Sequence, residues 1–190
     1  AIKMLRRDLA QDSIFQARFR REAQSAANLN HPSIVAVYDT GEEAITASDG
    51  TAVQVPYIVM EYVEGHTVKE LLTDGNPVPI DEAVSIVSGV LDALEYAHHQ
   101  NLVHRDIKPG NVMITTTGKV KVMDFGIARA LTDSQATMTQ TDAVVGTAQY
   151  LSPEQARGEQ VDARSDLYST GCLLFELLTG QPPFKGDSAV

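Results

Sequence analysis

Along this chain the spacing of hydrophobic positions changes character near Thr67. Before it, AIKML reads as the end of a strand. RFRREAQSAANL then places apolar and alanine positions at helical intervals with charge opposite, and His31-Pro32 is expected to stop that helix. SIVAVYDTG and PYIVMEYVEG read as two strands, and the polar, glycine-bearing EEAITASDGTAVQV between them as a hairpin or loose loop. After Thr67 the period becomes helical. Ile80, Val84, Val87, Leu91 and Leu94 recur at steps of three and four and predict an amphipathic helix that ends before His104. DLYSTGCLLFELLTG is apolar almost all round, which predicts a helix buried on most faces and closed by Gly180, Pro182 and Pro183. Residues 128–152, rich in Thr, Gln, Ser and Ala, have no sustained period and are too long for an ordinary connection. No internal repeat is visible. The expected class is α+β: a small sheet with one helix over residues 1–63, and a mainly helical part over 64–190.

Composition narrows what such a chain can do. At 190 residues, 43% hydrophobic and 21% charged, it has the makings of a sizeable core. A formal net charge of -10 disfavours sequence-independent attraction to nucleic acid or anionic lipid, so neither is an expected partner. Cys172 is the lone cysteine, which leaves no internal disulfide and fits a reducing, cytoplasmic compartment. Its setting in GCLLFELL predicts an inert core thiol. No run approaches the roughly 18 apolar residues of a membrane span, and the first residues do not form a signal peptide; no membrane contact is expected from this segment.

The chemistry concentrates in HRDIKPGNVMITTTGKVKVMDFG, residues 104–126. Asp106 and Asn111 share one short loop, and a strand, turn and strand bring Asp124 back beside them, so three oxygen-bearing side chains converge. Asn111 and Asp124 offer the hard oxygens that magnesium prefers. Asp106 can accept or orient a hydroxyl, and Lys108 can offset charge on a phosphate in transit. Glu22 in the following helix could hold the ammonium of Lys3 in AIK against nucleotide phosphates, although alone such a pair is an unimportant surface contact worth at most about 1 kcal/mol. A lone His-Arg-Asp or Asp-Phe-Gly occurs by chance, and His104 is read as scaffold. The conjunction with GTAQYLSPE downstream is what carries the signal.

These motifs resemble those of the eukaryotic-type serine/threonine protein kinases from Lys3 to Phe184. RFRREAQ, MTQT and LSPEQARG are further similar to the actinobacterial PASTA-type receptor kinases. The resemblance implies a bilobal kinase-like fold and transfer of the γ-phosphoryl of ATP to serine or threonine hydroxyls of proteins. It implies Mg2+, with Mn2+ as a substitute. On this sequence it makes Asp106, Lys108, Lys3, Glu22, Asn111 and Asp124 catalytic, with Asn111 and Asp124 as metal ligands. It puts adenine against Ala1, Met113 and Met123, with Met60 as gatekeeper and Glu61 and Val63 offering hinge backbone groups. Thr139 and Thr141 become regulatory phosphosites whose charge Arg105 would meet. Thr147 would contact Asp106 and Lys108, and Asp166 would accept backbone donors from the catalytic loop. Protein substrates and a kinase homodimer for trans-autophosphorylation are the implied partners. The full-length protein is expected to be membrane-anchored with this part inside the cell.

Two elements of the pattern lie outside the sequence. A glycine-rich loop is expected before Ala1, and further helices after Gly180 would supply an arginine for Glu154. The 190 residues are therefore expected to be a fragment, marginally stable alone, with apolar faces uncovered and Glu154 unpaired. The alternative to an active kinase is a pseudokinase, scaffold or inactive fragment. A small-molecule phosphotransferase shares the Asp and Asn loop but not a GTAQYLSPE-like segment.

Overall fold

The computed structural model describes residues 1–5, 9–10, 12–46, 52–125 and 148–184, the side chains of residues 13, 14, 18, 21 and 22 excepted. The first part is an antiparallel sheet of β1 (Ile2–Met4), β2 (Val37–Thr46) and β3 (Ala52–Met60), in the order β1-β3-β2. Lys3 lies opposite Ile58 in the register. Helix α1 (Ser13–Ala27) closes one face of this sheet by burying Phe19 and Ala23 against Ile58, with Leu5, Val37 and Met60 around them. It ends at Ala27, short of the expected stop at His31-Pro32. Residues Glu42–Thr46 and Ala52–Val55 continue the two strands, so the ambiguous stretch is a hairpin rather than a loose loop.

One strand boundary differs from expectation for a tertiary reason. Ser33–Ala36 are not in β2; they run beside β6 (Val120–Val122), where the Val35 amide donates to Val122 O at 2.9 Å and the Val122 amide to Ser33 O at 2.8 Å. Apolar residues satisfied their backbone groups across the molecule instead of along the expected strand.

The second part holds β4 (Gly65–Thr67), β5 (Val112–Thr115) and β6 in an antiparallel sheet of order β4-β5-β6. Thr67 also starts the short helix α2 (Val68–Leu71) with a reciprocal cap: the Glu70 amide donates to Thr67 Oγ1 and the Thr67 amide to Glu70 Oε2. Helices α3 (Ile80–His99), α4 (Pro153–Ala156) and α5 (Ala163–Thr179) complete the described elements. Gly180 ends α5 in the left-handed region at φ 73°, a conformation glycine adopts without cost. The main core joins α3 and α5 to the β5–β6 hairpin through Ile86, Val90, Leu94, Val122, Leu173 and Leu177.

Two burial expectations are corrected. The periodic stripe on α3 is largely outward: Ile80, Val84 and Leu91 are 70%, 53% and 39% exposed, and of the five only Leu94 is fully buried. The face that packs is Ala83, Ile86, Val90, Ala93, Leu94 and Ala97. Small residues won because they let α3 approach closely; a Cβ on Gly89 would stand 2.6 Å from Val120 Cβ. On α5, Leu167, Phe175 and Leu178 are exposed, while Ser165, Asp166, Ser169 and Thr170 are buried. That helix is buried on one face, and much of that face is polar. Among the described residues no helix is long and apolar enough to cross a membrane.

Candidate active site

The His104-Arg105-Asp106 turn is built from below by the first turn of α5. Asp166 is fully buried; its Oδ2 accepts from the His104 amide at 2.8 Å and contacts His98 Nε2 at 2.7 Å, while Oδ1 accepts from the Arg105 amide at 2.7 Å. Gln155 Nε2 donates to Arg105 O at 2.7 Å. These bonds hold Arg105 at φ 70°, a conformation that costs a non-glycine residue on the order of 1–2 kcal/mol. The expected bracing by Asp166 is thus present, and Gln155, which the sequence reading passed over within LSPEQ, shares it.

His104 is a fully buried junction. Its Nδ1 accepts the Asp106 amide at 3.1 Å and its Nε2 donates to Met123 O at 3.0 Å, so the ring is the neutral Nε2-protonated tautomer. Phe125 meets the ring edge-on at 4.6 Å. Through this ring the loop bearing Asp106 and the segment bearing Asp124 are set against each other. A second link is the Met123 amide donating to Asn111 O at 3.0 Å.

Above this base the polar groups are arranged pairwise. Asp106 Oδ2 accepts Lys108 Nζ at 2.7 Å and Asn111 Nδ2 at 2.9 Å. Asn111 Nδ2 also reaches Asp106 O at 2.8 Å, its own position fixed by a single 3-10 turn over Pro109–Asn111. Lys3 Nζ pairs with Asp124 Oδ2 at 2.7 Å across the boundary between the two sheets, and Asp124 sits at φ 65°. The side chain of Glu22, the expected partner of Lys3, lies outside the described residues; among the described ones Lys3 pairs with Asp124. Chemically, Asp106 Oδ1 has no partner among the described residues and could accept a hydroxyl. Asn111, having committed its nitrogen, keeps its Oδ1, and Asp124 adds a carboxylate. Those two oxygens fit a hard divalent cation, and among the described residues no cluster of three His, Cys, Asp or Glu could hold one, so its other ligands would come from phosphate and water.

Of the residues assigned to adenine, Met60 is in β3 and Met113 in β5, Ala1 precedes β1, Met123 follows β6, and Glu61 and Val63 lie in the stretch after Met60. The Met60 amide donates to Ala1 O at 2.9 Å, and Met113 lies opposite Lys121 on the β5–β6 hairpin. Met60 and Met123 line a cavity that continues inward past Ile34, Ile58, Asp124 and Phe125; Ala1, Glu61, Val63 and Met113 do not line it. The backbone bonds at the strand end narrow which groups Glu61 and Val63 can offer. The Glu61 amide is taken by Ala36 O at 2.8 Å, so of the two backbone groups only the Glu61 carbonyl, together with the Val63 amide, remains for a base edge.

Glu154 accepts a hydrogen bond from Ser165 Oγ, which holds its carboxyl below the usual range; the expected unpaired acid has a partner on α5. Tyr150, also unremarked in the sequence, donates its hydroxyl to Glu176, and burial with that bond drives the phenol pKa far upward. Thr139, Thr141 and Thr147 lie outside the described residues.

The family model described as "Protein kinase domain" matches residues 1–190. A probable serine/threonine-protein kinase of Streptomyces coelicolor is 67% identical over 190 residues, covering 100% of this chain and 28% of that protein. The serine/threonine-protein kinase PknB of Mycobacterium leprae is 60% identical over all of this chain and 30% of its own length. This chain therefore spans less than a third of those relatives. Among solved structures, the PknI kinase domain of Mycobacterium tuberculosis superposes with a TM-score of 0.72 at 35% identity, over 96% of this chain and 64% of that one.

Proposed function

This chain belongs to the protein kinase domain family, and on that premise we propose that it transfers the γ-phosphoryl of ATP to serine or threonine hydroxyls of protein substrates. Use of ATP with a divalent metal is general to the family; our finer reading is Mg2+, with Mn2+ able to replace it. The observation that carries the reading is the state of Asp106: one carboxylate oxygen is held by Lys108 and Asn111, and the other is left for an acceptor hydroxyl. A carboxylate so oriented can align the hydroxyl and take its proton as the bond to phosphorus forms. Lys108, on the same carboxylate, offsets negative charge on the phosphoryl group as it moves. Lys3 neutralises the nucleotide's remaining phosphates. Asn111 and Asp124 would hold the metal ion, which supplies further neutralisation of phosphate charge. The pseudokinase alternative is not favoured, because Lys3, Asp106, Asn111 and Asp124 are all present.

In this reading Thr139 and Thr141 are sites of trans-autophosphorylation between two copies, and Arg105 meets the added charge. The location is cytoplasmic, with anchoring supplied elsewhere in a longer protein. The full-length protein, given labelled ATP, Mg2+ and a generic basic protein, should incorporate phosphate; Asp106→Asn and Lys3→Met should each reduce the rate by about a hundredfold or more. Incorporation untouched by both changes would refute the assignment. Replacing Thr139 and Thr141 together with alanine should lower activity, and equal activity would remove the phosphosite role.

A further inference from the structure

We propose that Lys121 is a positioning residue for the adenine ring, acting through Glu61 to set the gap between the hinge edge and the methionine floor; this rests only on the ATP-binding part of the reading above. Lys121 lies between the buried Val120 and Val122 in β6, and as the cross-strand partner of Met113 it shares that residue's face of the hairpin. Met123, the other floor residue, follows two positions later. From that face its ammonium reaches Glu61 Oε2 at 2.6 Å and Ile34 O at 3.4 Å.

Glu61 is bound on its other side as well. Oε2 also accepts the Ala36 amide at 3.2 Å, and the Glu61 amide donates to Ala36 O at 2.8 Å. One cation therefore joins three stretches of chain: the 34–36 segment, the residue whose carbonyl faces the base, and the strand pair beneath the base. Lys121 and Glu61 are only 16% and 23% exposed, so solvent and salt screen the pair less than a surface contact. None of the catalytic steps uses Lys121. Its place in the fold is explained by holding the Glu61 carbonyl at a set height above Met113 and Met123, where a flat base is gripped from edge and face together.

The test uses the full-length parent protein and three variants: Lys121→Met, Lys121→Arg and Glu61→Gln. ATP binding is measured by calorimetry without acceptor protein, and KM and kcat by phosphate transfer. Lys121→Met should raise both the ATP dissociation constant and KM by about fivefold, leave kcat within about twofold, and be rescued by Lys121→Arg. Glu61→Gln, which keeps shape, should give a smaller rise in the same direction and carries the test if Lys121→Met does not fold. ATP affinity unchanged in Lys121→Met, an arginine variant as weak as methionine, or a kcat loss that tracks a lower melting temperature would each overturn the proposal. A parent that binds ATP but transfers no phosphate would sink the kinase reading and leave this one standing; a parent that binds none would sink both.

Discussion

Lys3 and Asp124 face each other from two regions held together in different ways. The region of Lys3 is a three-stranded sheet whose cluster is Phe19, Ala23 and Ile58 under one helix. The region of Asp124 rests on the broad core between α3, α5 and the β5–β6 hairpin, and beneath it runs a fully bonded polar layer of Asp166, His104 and Gln155. The lesson is a division of labour: Asp106 and Asn111, which we propose must keep their geometry, sit on the deeply braced side, and Lys3, which we propose follows phosphate charge, sits on the lightly packed side. Buried polar atoms, added to a larger apolar core, distinguish the braced side.

The strongest way to break that contrast is Asp166→Ala. It strands the His104 and Arg105 amides and His98 in a buried place, and urea unfolding should show a loss of about 3 kcal/mol or more, with phosphate transfer abolished. A loss below 1 kcal/mol would mean the polar layer is incidental. Next, Leu173→Ala in the broad core should cost about 3–5 kcal/mol, and Ile58→Ala under the small cluster about 2–3, because a thin layer can collapse onto the gap. Equal costs would erase the difference between the regions.

Lys3→Met sharpens the contrast from the other side. The pair is partly open to water, so stability should change by less than about 1 kcal/mol while activity collapses. Smallest of all, Cys172 should stay unlabelled by a thiol reagent at pH 8 in the folded protein, since burial raises its pKa and excludes the reagent. Rapid labelling would show that α5 is open where the structure has it packed.

Much of the site was legible because its residues are close in sequence and chemically unusual together: Asp106, Lys108 and Asn111 occupy one turn, and Asp124 follows a short hairpin. The brace was legible only in part. Asp166 was assigned through the family resemblance, while Gln155 and His98 carry no local signal, since their meaning depends on what lies across from them. The hinge was legible as a strand end, yet the occupation of the Glu61 amide by Ala36 was not, because it depends on where the 33–36 segment went.

The sequence by itself determined that a helix starts near Ile80 and ends before His104, and that residues 166–180 hold another, because 3.6-residue spacing, an apolar run and end signals such as Gly180 act within a few residues. Which side of each helix is buried was decided only on packing. Ile80, Val84 and Leu91 make as good a stripe as Ile86, Val90 and Leu94, and the choice fell to the face whose alanines and Gly89 allow the shortest approach to β6 and α5. Close contact between surfaces depends on both partners, and a single strand of sequence describes each only one at a time.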